Sequence, residues 1–186
     1  MTGPGETAPK RSGLAMWLPL ALFGAFFTLV LVGLLWPASR EVKSTMIGKP
    51  LPAFDLPQAA PDRPGLATTH FTDGKPRLLN IFASWCIPCA VEAQALEQLR
   101  RAGAEIDGVA VRDRPQDLAR FLARNGNPYT RIGGDDRSRV QFALGSSGVP
   151  ESFVIDGMGI IRYQHLGVIE EKDIPMILDK LKEAGR

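Results

Sequence analysis

The stretch LNIFASWCIPCAVEAQAL, Leu79 to Leu96, holds both cysteines of this 186-residue chain, Cys86 and Cys89. Upstream of them RLLNIFAS, from Arg77, is an apolar run of strand length, suited to a strand covered on both faces. Downstream, CAVEAQALEQLRRAG reads as a helix that ends at Gly103. A Cys-x-x-Cys at such a junction puts Cys86 at the helix N-cap and Cys89 one turn in. The unpaired N–H groups and the positive end of the helix dipole favour a thiolate there. Thiols in such positions ionise at roughly pH 3.5–7.5 rather than about 8.5. Pro88 fixes φ in the first turn and stiffens the loop. The arrangement suits thiol–disulfide exchange, with Cys86 attacking a disulfide and Cys89 resolving the mixed intermediate.

Three other uses of the pair compete. Haem attachment needs Cys-x-x-Cys-His, and residue 90 is alanine. A zinc site needs about four ligands, and the two histidines, His70 and His165, lack zinc-finger spacing. A purely structural disulfide would close too short a loop to constrain the unfolded chain much, and would not call for Trp85 and Pro88. Redox exchange is the reading that uses the whole motif.

Glu92 shares a helical face with Cys89, Ala93, Leu96 and Leu99. A carboxylate on a core-facing stripe is costly unless paired or protonated. Burial would raise its pKa and let it exchange a proton with Cys89 near neutral pH. The alternative is an exposed first-turn glutamate favoured by the helix dipole.

Outward from this centre the pattern stays regular. IDGVAVRD predicts a strand, and RPQDLARFLARNG a helix with Leu118, Phe121 and Leu122 on one face. YTRIGGD predicts a short strand and SRVQFALG a short helix. ESFVID and IIRYQHLG flank Gly157-Met158-Gly159 as a hairpin. DIPMILDKLKEAG closes the chain as a helix, with Ile174, Ile177, Leu178 and Leu181 spaced for burial. Nearer the N-terminus, AFDLP and ATTHF read as short strands around a Pro-rich loop. The order βαβα, hairpin, α predicts an α/β domain with a mixed central sheet and helices on both faces.

Between Arg11 and Arg40 no residue is charged. Leu14 to Trp36 would reach about 34 Å as a helix at roughly 1.5 Å per residue, against a hydrocarbon core of about 30 Å. Trp17 and Trp36 stand at its ends, where interfacial indoles are favoured. A signal peptide would have a shorter apolar region and a small-x-small cleavage site, and LLWPASR offers a poor one. The reading is therefore a short cytoplasmic tail over residues 1–13, a transmembrane anchor over 14–36, a tether over 37–46, and a globular domain over 47–186. Lys10 and Arg11 before the helix balance Arg40 and Lys43 after it, so loop charge leaves the orientation undecided.

With 22 basic and 20 acidic residues, a net charge of +2 provides no electrostatic footprint for nucleic acid.

FASWCIPC, with GVPESFVID some sixty residues later, resembles the thioredoxin superfamily. More narrowly, IGKPLPAFDLP and GVPESFVIDGMGIIRYQHLG are similar to the membrane-anchored thiol:disulfide interchange proteins of cytochrome c biogenesis, the CcmG/DsbE type, and their TlpA/ResA-like relatives. Ile87-Pro88 stands closer to the TlpA/ResA pattern than to the Pro-Thr of the cytochrome branch. The resemblance implies a thioredoxin-like fold and a cis bond between Val149 and Pro150, in a loop that faces the cysteines and receives a substrate peptide. An ordinary turn proline is the alternative. It implies that Glu92 belongs to the active site and that Glu151 is an acidic residue beside the substrate loop, the alternative being a solvated loop charge. It implies a protein-disulfide reductase of a bacterial inner membrane, single-pass, with its C-terminal domain in the periplasm. The redox-active disulfide would be its reactive group, with no other cofactor and no metal. Its partners would be apocytochrome c or a thiol protein of haem attachment, a membrane thiol-reducing electron transporter, and the bilayer. Alternatives are a general periplasmic thiol reductase or oxidase and, in another class, an anchored module carrying a metal on the two thiols.

Overall fold

The computed structural model describes residues 14–35 and 45–186. The expected tail, Trp36 and nearly all of the expected tether lie outside the described residues. The chain divides into two units between Val42 and Lys43.

In the first unit, helix α1 spans Leu14–Leu35 with no acidic or basic residue at either end. From Trp17 to Leu34 its side chains are exposed and, apart from Thr28, predominantly apolar, and it is long and apolar enough to cross a membrane. The Thr28 hydroxyl donates to the Gly24 carbonyl at 2.8 Å, which satisfies its one polar group within the helix.

The second unit is built on a five-stranded mixed sheet. Its strands are β3 (Arg77–Phe82), β4 (Ile106–Val111), β5 (Arg131–Asp135), β6 (Glu151–Ile155) and β7 (Ile161–Leu166), in the order β5-β4-β3-β6-β7. β3, β4 and β5 run parallel, and β6 and β7 antiparallel to their neighbours. Helices α2 (Ile87–Arg101), α3 (Pro115–Asn125) and α4 (Arg139–Ala143) connect β3 to β6, and α5 (Ile174–Ala184) follows β7. Strand β3 is central and all six of its residues are buried, as its apolar run predicts.

Because side chains alternate across a strand, the two faces of β3 enter different clusters. Leu78 and Phe82 pack with Leu96 and Leu99 of α2, Phe121 of α3 and Ile177 of α5. Leu79 and Ile81 pack on the other face with Val140 of α4, Leu51, Leu66 and Phe71. Each such buried Leu or Phe stabilises the fold by about 1.5–3 kcal/mol. The expected helices on both faces are present.

One expectation fails. β1 (Asp55–Leu56) pairs antiparallel with β2 (Leu66–Ala67), but Thr68–Phe71 forms a 3-10 turn rather than strand. Local polar side chains explain it: His70 Nδ1 accepts from Ala67 N–H at 3.0 Å, and the Thr68 hydroxyl donates to Pro52 O at 2.8 Å. Such bonds compete with a ladder. The Gly157-Met158-Gly159 hairpin is as expected, with Asp156 Oδ1 accepting from the N–H groups of Met158 and Ile160.

Candidate functional site

Strand β3 delivers the chain to the edge of the sheet at Phe82, and α2 begins four residues after Ala83 at Ile87. Between them Cys86 takes the N-cap, extended at φ −88° and ψ 109°. Its Sγ accepts from the N–H of Cys89 at 3.1 Å, occupying one of the donors that a helix start leaves free. Pro88, in the first turn, has no N–H to satisfy. Cys86 and Cys89 are joined in a disulfide with Cα atoms 5.3 Å apart. Cys86 and Cys89 are both buried, while the flanking Trp85 and Ile87 are exposed, to 54% and 79%.

The loop is anchored by β4's C-terminal end. The Asp113 carboxylate accepts from Ser84 N–H at 2.6 Å and from Ser84 Oγ–H at 2.5 Å. The Trp85 indole N–H donates to Val111 O at 3.2 Å. Ser84, Val111 and Asp113 carry no motif by which the sequence would mark them. They are found only because β4 lies beside β3.

Glu92 is 1% exposed, so the surface alternative fails. Its Oε1 accepts from Asn80 Nδ2 at 2.9 Å and its Oε2 from Ile169 N–H at 3.2 Å. Burial pushes its pKa up to about 7, and the bonds from Asn80 and Ile169 hold it lower than burial alone would. Asn80 lies on the α2 side of β3, like Leu78 and Phe82. It also donates to Ser152 Oγ at 3.0 Å and accepts from the Tyr129 hydroxyl at 2.8 Å. Burial, then the nearby charge of Glu92, hold the Tyr129 hydroxyl well above its ordinary pKa, so it acts here as a donor. Its ring stacks on Phe82 with centroids 4.6 Å apart. Gly108 makes room: a Cβ there would lie 2.8 Å from Phe82 and 3.0 Å from the Tyr129 ring. Sequence reasoning missed Asn80, Tyr129 and Ser152. The available signal was Asn80 itself, the one polar residue inside the apolar run from Leu78 to Ala83.

On the opposite flank, β6 runs antiparallel beside β3 with Ile81 opposite Glu151. The residues before Glu151 therefore meet the sheet edge that carries the cysteine loop. The Val149–Pro150 bond is cis, as the resemblance implies. Val149 packs against the cluster that contains Cys86 and Cys89. Among the described residues neither its N–H nor its carbonyl has a backbone partner. Glu151 is not a solvated loop charge: it opens β6 and is 2% exposed. It shares with Phe153 the face of the sheet away from Glu92. One carboxylate oxygen accepts from Gln164 Nε2, and the other has no partner among the described residues.

No group of three or more metal-ligating side chains comes together among the described residues. What the arrangement offers is a two-electron dithiol/disulfide couple with a buried carboxyl one helical turn from its inner sulfur.

Comparison with known proteins agrees with that chemistry. The Redoxin family matches residues 46–181. The chain is 41% identical to a thiol:disulfide interchange protein DsbE from Pseudomonas fluorescens biotype C, over 84% of this chain and 86% of that one. It is 36% identical to the thiol:disulfide interchange protein HelX of Rhodobacter capsulatus, over 89% and 94%. The crystal structure of a thiol:disulfide interchange protein from Chlorobium tepidum shares the fold, with a TM-score of 0.59 and 24% identity over 74% and 96% of the two chains. With the disulfide at the head of α2, this places the chain in the redoxin family of the thioredoxin superfamily, among the thiol:disulfide oxidoreductases of the DsbE type.

Proposed function

We propose that the protein is a membrane-anchored protein-disulfide reductase whose globular domain works in the periplasm. It would keep the haem-binding cysteines of apocytochrome c reduced, directly or through a partner thiol protein, and be re-reduced by a membrane electron transporter. The observation that carries the reading is the buried Glu92 beside the Cys86–Cys89 couple. In the reduced protein, the Cys86 thiolate attacks one sulfur of the substrate disulfide. A mixed disulfide forms and the first substrate thiolate leaves. Glu92 takes the proton of Cys89 as it ionises, and the Cys89 thiolate attacks Cys86 Sγ. The second substrate thiolate leaves, and two electrons have passed from protein to substrate.

A carboxyl that titrates near pH 7 suits this transfer, because it accepts and returns a proton at small cost. The backbone of Val149, held by Pro150, would pair with the substrate chain as an added strand. Glu151 would hold that loop from beneath, and Trp85, Ile87 and Pro88 would form the contact rim around Cys86. The apolar α1 supports a single membrane pass. Confinement of both thiols to one redox motif supports an oxidising compartment, and hence the inner membrane with the domain outside the cytoplasm.

The deciding experiment is mixed-disulfide trapping with Cys89→Ser in the native membrane. Capture of apocytochrome c or of a haem-attachment thiol protein is expected. Capture of a broad set of unrelated secreted proteins would instead support a general TlpA/ResA-like thiol oxidoreductase, the reading favoured by Ile87-Pro88.

A further inference from the structure

Beside the disulfide, on the β4 flank and so opposite the Val149–Pro150 loop, lies a cleft of about 560 Å³. It is lined by Ser84, Trp85 and a run of charged residues from Arg112 to Arg124. Its two acids are already engaged: Asp113 binds Ser84 through both oxygens, and Asp117 pairs with Arg120. Arg112, Arg114 and Arg124 are exposed and have no ion-pair or side-chain hydrogen-bond partner among the described residues. Asp117, Arg120 and Arg124 recur at the spacing of one helical face, so α3 presents its cations along the cleft.

Two features of these arginines work against stability. Arg112 has φ +46°, a left-handed conformation that strains a residue with a Cβ. Arg114 occupies the N-cap of α3 with no side-chain cap bond, and a cation at the positive end of a helix is unfavourable. A fold needing only to be stable would place a serine or aspartate there. Unspent cations, a strained backbone and a solvent-exposed indole thus converge beside Cys86.

We infer that this cleft is a specificity site that receives acidic side chains of the polypeptide whose disulfide is attacked by Cys86. A chain lying across the sheet edge has the Val149 backbone on one side of the disulfide and the arginines on the other. Neighbouring strands are about 4.8 Å apart and an extended residue spans about 3.3 Å, so each strand crossed takes up roughly one and a half residues of the bound chain, and the acidic groups lie close in sequence to the reacting cysteine. The position favours a protein substrate over a membrane surface, because Ser84 and Trp85 in the cleft wall immediately precede the attacking cysteine. The inference rests on the reductase reading above.

The test uses the full chain, reduced, in neutral phosphatidylcholine nanodiscs. Two disulfide-bonded peptides differ only in three flanking residues, glutamate in one and glutamine in the other. At ionic strength near 20 mM the acidic peptide is expected to react at least about tenfold faster, the lower end of what a cleft of one sign does for association. The preference should fall to about twofold in 0.5 M salt, where the Debye length is only a few ångströms. It should fall similarly in the triple variant Arg112→Gln, Arg114→Gln, Arg124→Gln. Equal rates for the two peptides, or an undiminished preference in the triple variant, overturns the inference while leaving the reductase reading intact. Equal rates accompanied by arginine-dependent shielding of Trp85 in anionic nanodiscs assigns the cleft to the membrane surface and overturns it too. Reduction of neither peptide refutes the reductase reading, and the inference with it.

Discussion

Replacing Glu92 by glutamine removes a titration and keeps the shape of the side chain. The carboxyl has an ordinary pKa of 4.5 and is raised to about 7 in the folded protein, chiefly by burial. At pH 4 it is protonated in both folded and unfolded chains. As pH rises from about 4.5 to 7, the unfolded chain releases its proton and the folded one retains it, so stability falls across that window. A displacement of about 2.5 pH units corresponds to about 3 kcal/mol. Above pH 7 both states are ionised and the loss is complete. The Glu92→Gln variant has no such loss. Its amide must, however, turn an NH2 toward one of two donors, Asn80 Nδ2 or Ile169 N–H, at a cost of about 1 kcal/mol at every pH. The variant is therefore expected to be about 1 kcal/mol less stable than the parent at pH 4 and about 2 kcal/mol more stable at pH 8. Urea unfolding of the oxidised full chain in neutral nanodiscs, followed by tryptophan fluorescence, measures this with both thiols out of the titration. In the same variant, resolution of a mixed disulfide should slow, and Cys89 should shift its titration more than Cys86. A stability difference that stays flat between pH 4 and 8 would refute the argument, because Glu92 would then ionise like an exposed carboxylate.

Tyr129→Phe removes the hydroxyl that donates to Asn80 Oδ1 and should destabilise the fold by about 1–2 kcal/mol through the unsatisfied buried amide oxygen. It should also move the pH inflection of exchange, which a purely packing role for the ring would leave in place. An impermeant maleimide applied to intact cells after mild reduction should modify Cys86, and labelling only after rupture of the inner membrane would put the domain in the cytoplasm. In a glutathione-buffered equilibrium, the couple should lie well below the roughly −120 mV of a DsbA-type oxidase. The N-terminal end of α2 favours the Cys86 thiolate and a more oxidising couple, but burial of Cys89 and Glu92 opposes negative charge there. A potential close to the oxidase value would reverse the direction of exchange.

The features legible without coordinates are those that depend on near neighbours along the chain. A strand run followed by a helix run puts Cys86 at a helix cap whatever the rest of the fold does, since capping is a matter of a few residues. The apolar run ending near Trp36 is equally local, because crossing a bilayer requires only length and the absence of charge. The turn at Thr68–Phe71 escaped because side-chain bonds to Pro52 and Ala67, which the strand-like composition does not announce, compete with a ladder. Helical spacing put Glu92 on the cysteine face, but spacing carries no information about what lies opposite.

Strand order and register decided the remainder. Tyr129 reaches Asn80 from 49 residues away, and Ile169 reaches Glu92 from 77. Asp113 clamps Ser84 only because β4 is the parallel neighbour of β3. Glu151 opens β6 as ESFVID predicts, but its burial on the far face of the sheet, which removes the solvated alternative, follows from the pairing of β6 between β3 and β7. A one-residue change of register would reverse each of those faces. The local chain therefore specifies the redox couple itself, while the groups that tune and surround it are set by burial and by contacts between distant strands, which no short window of sequence contains.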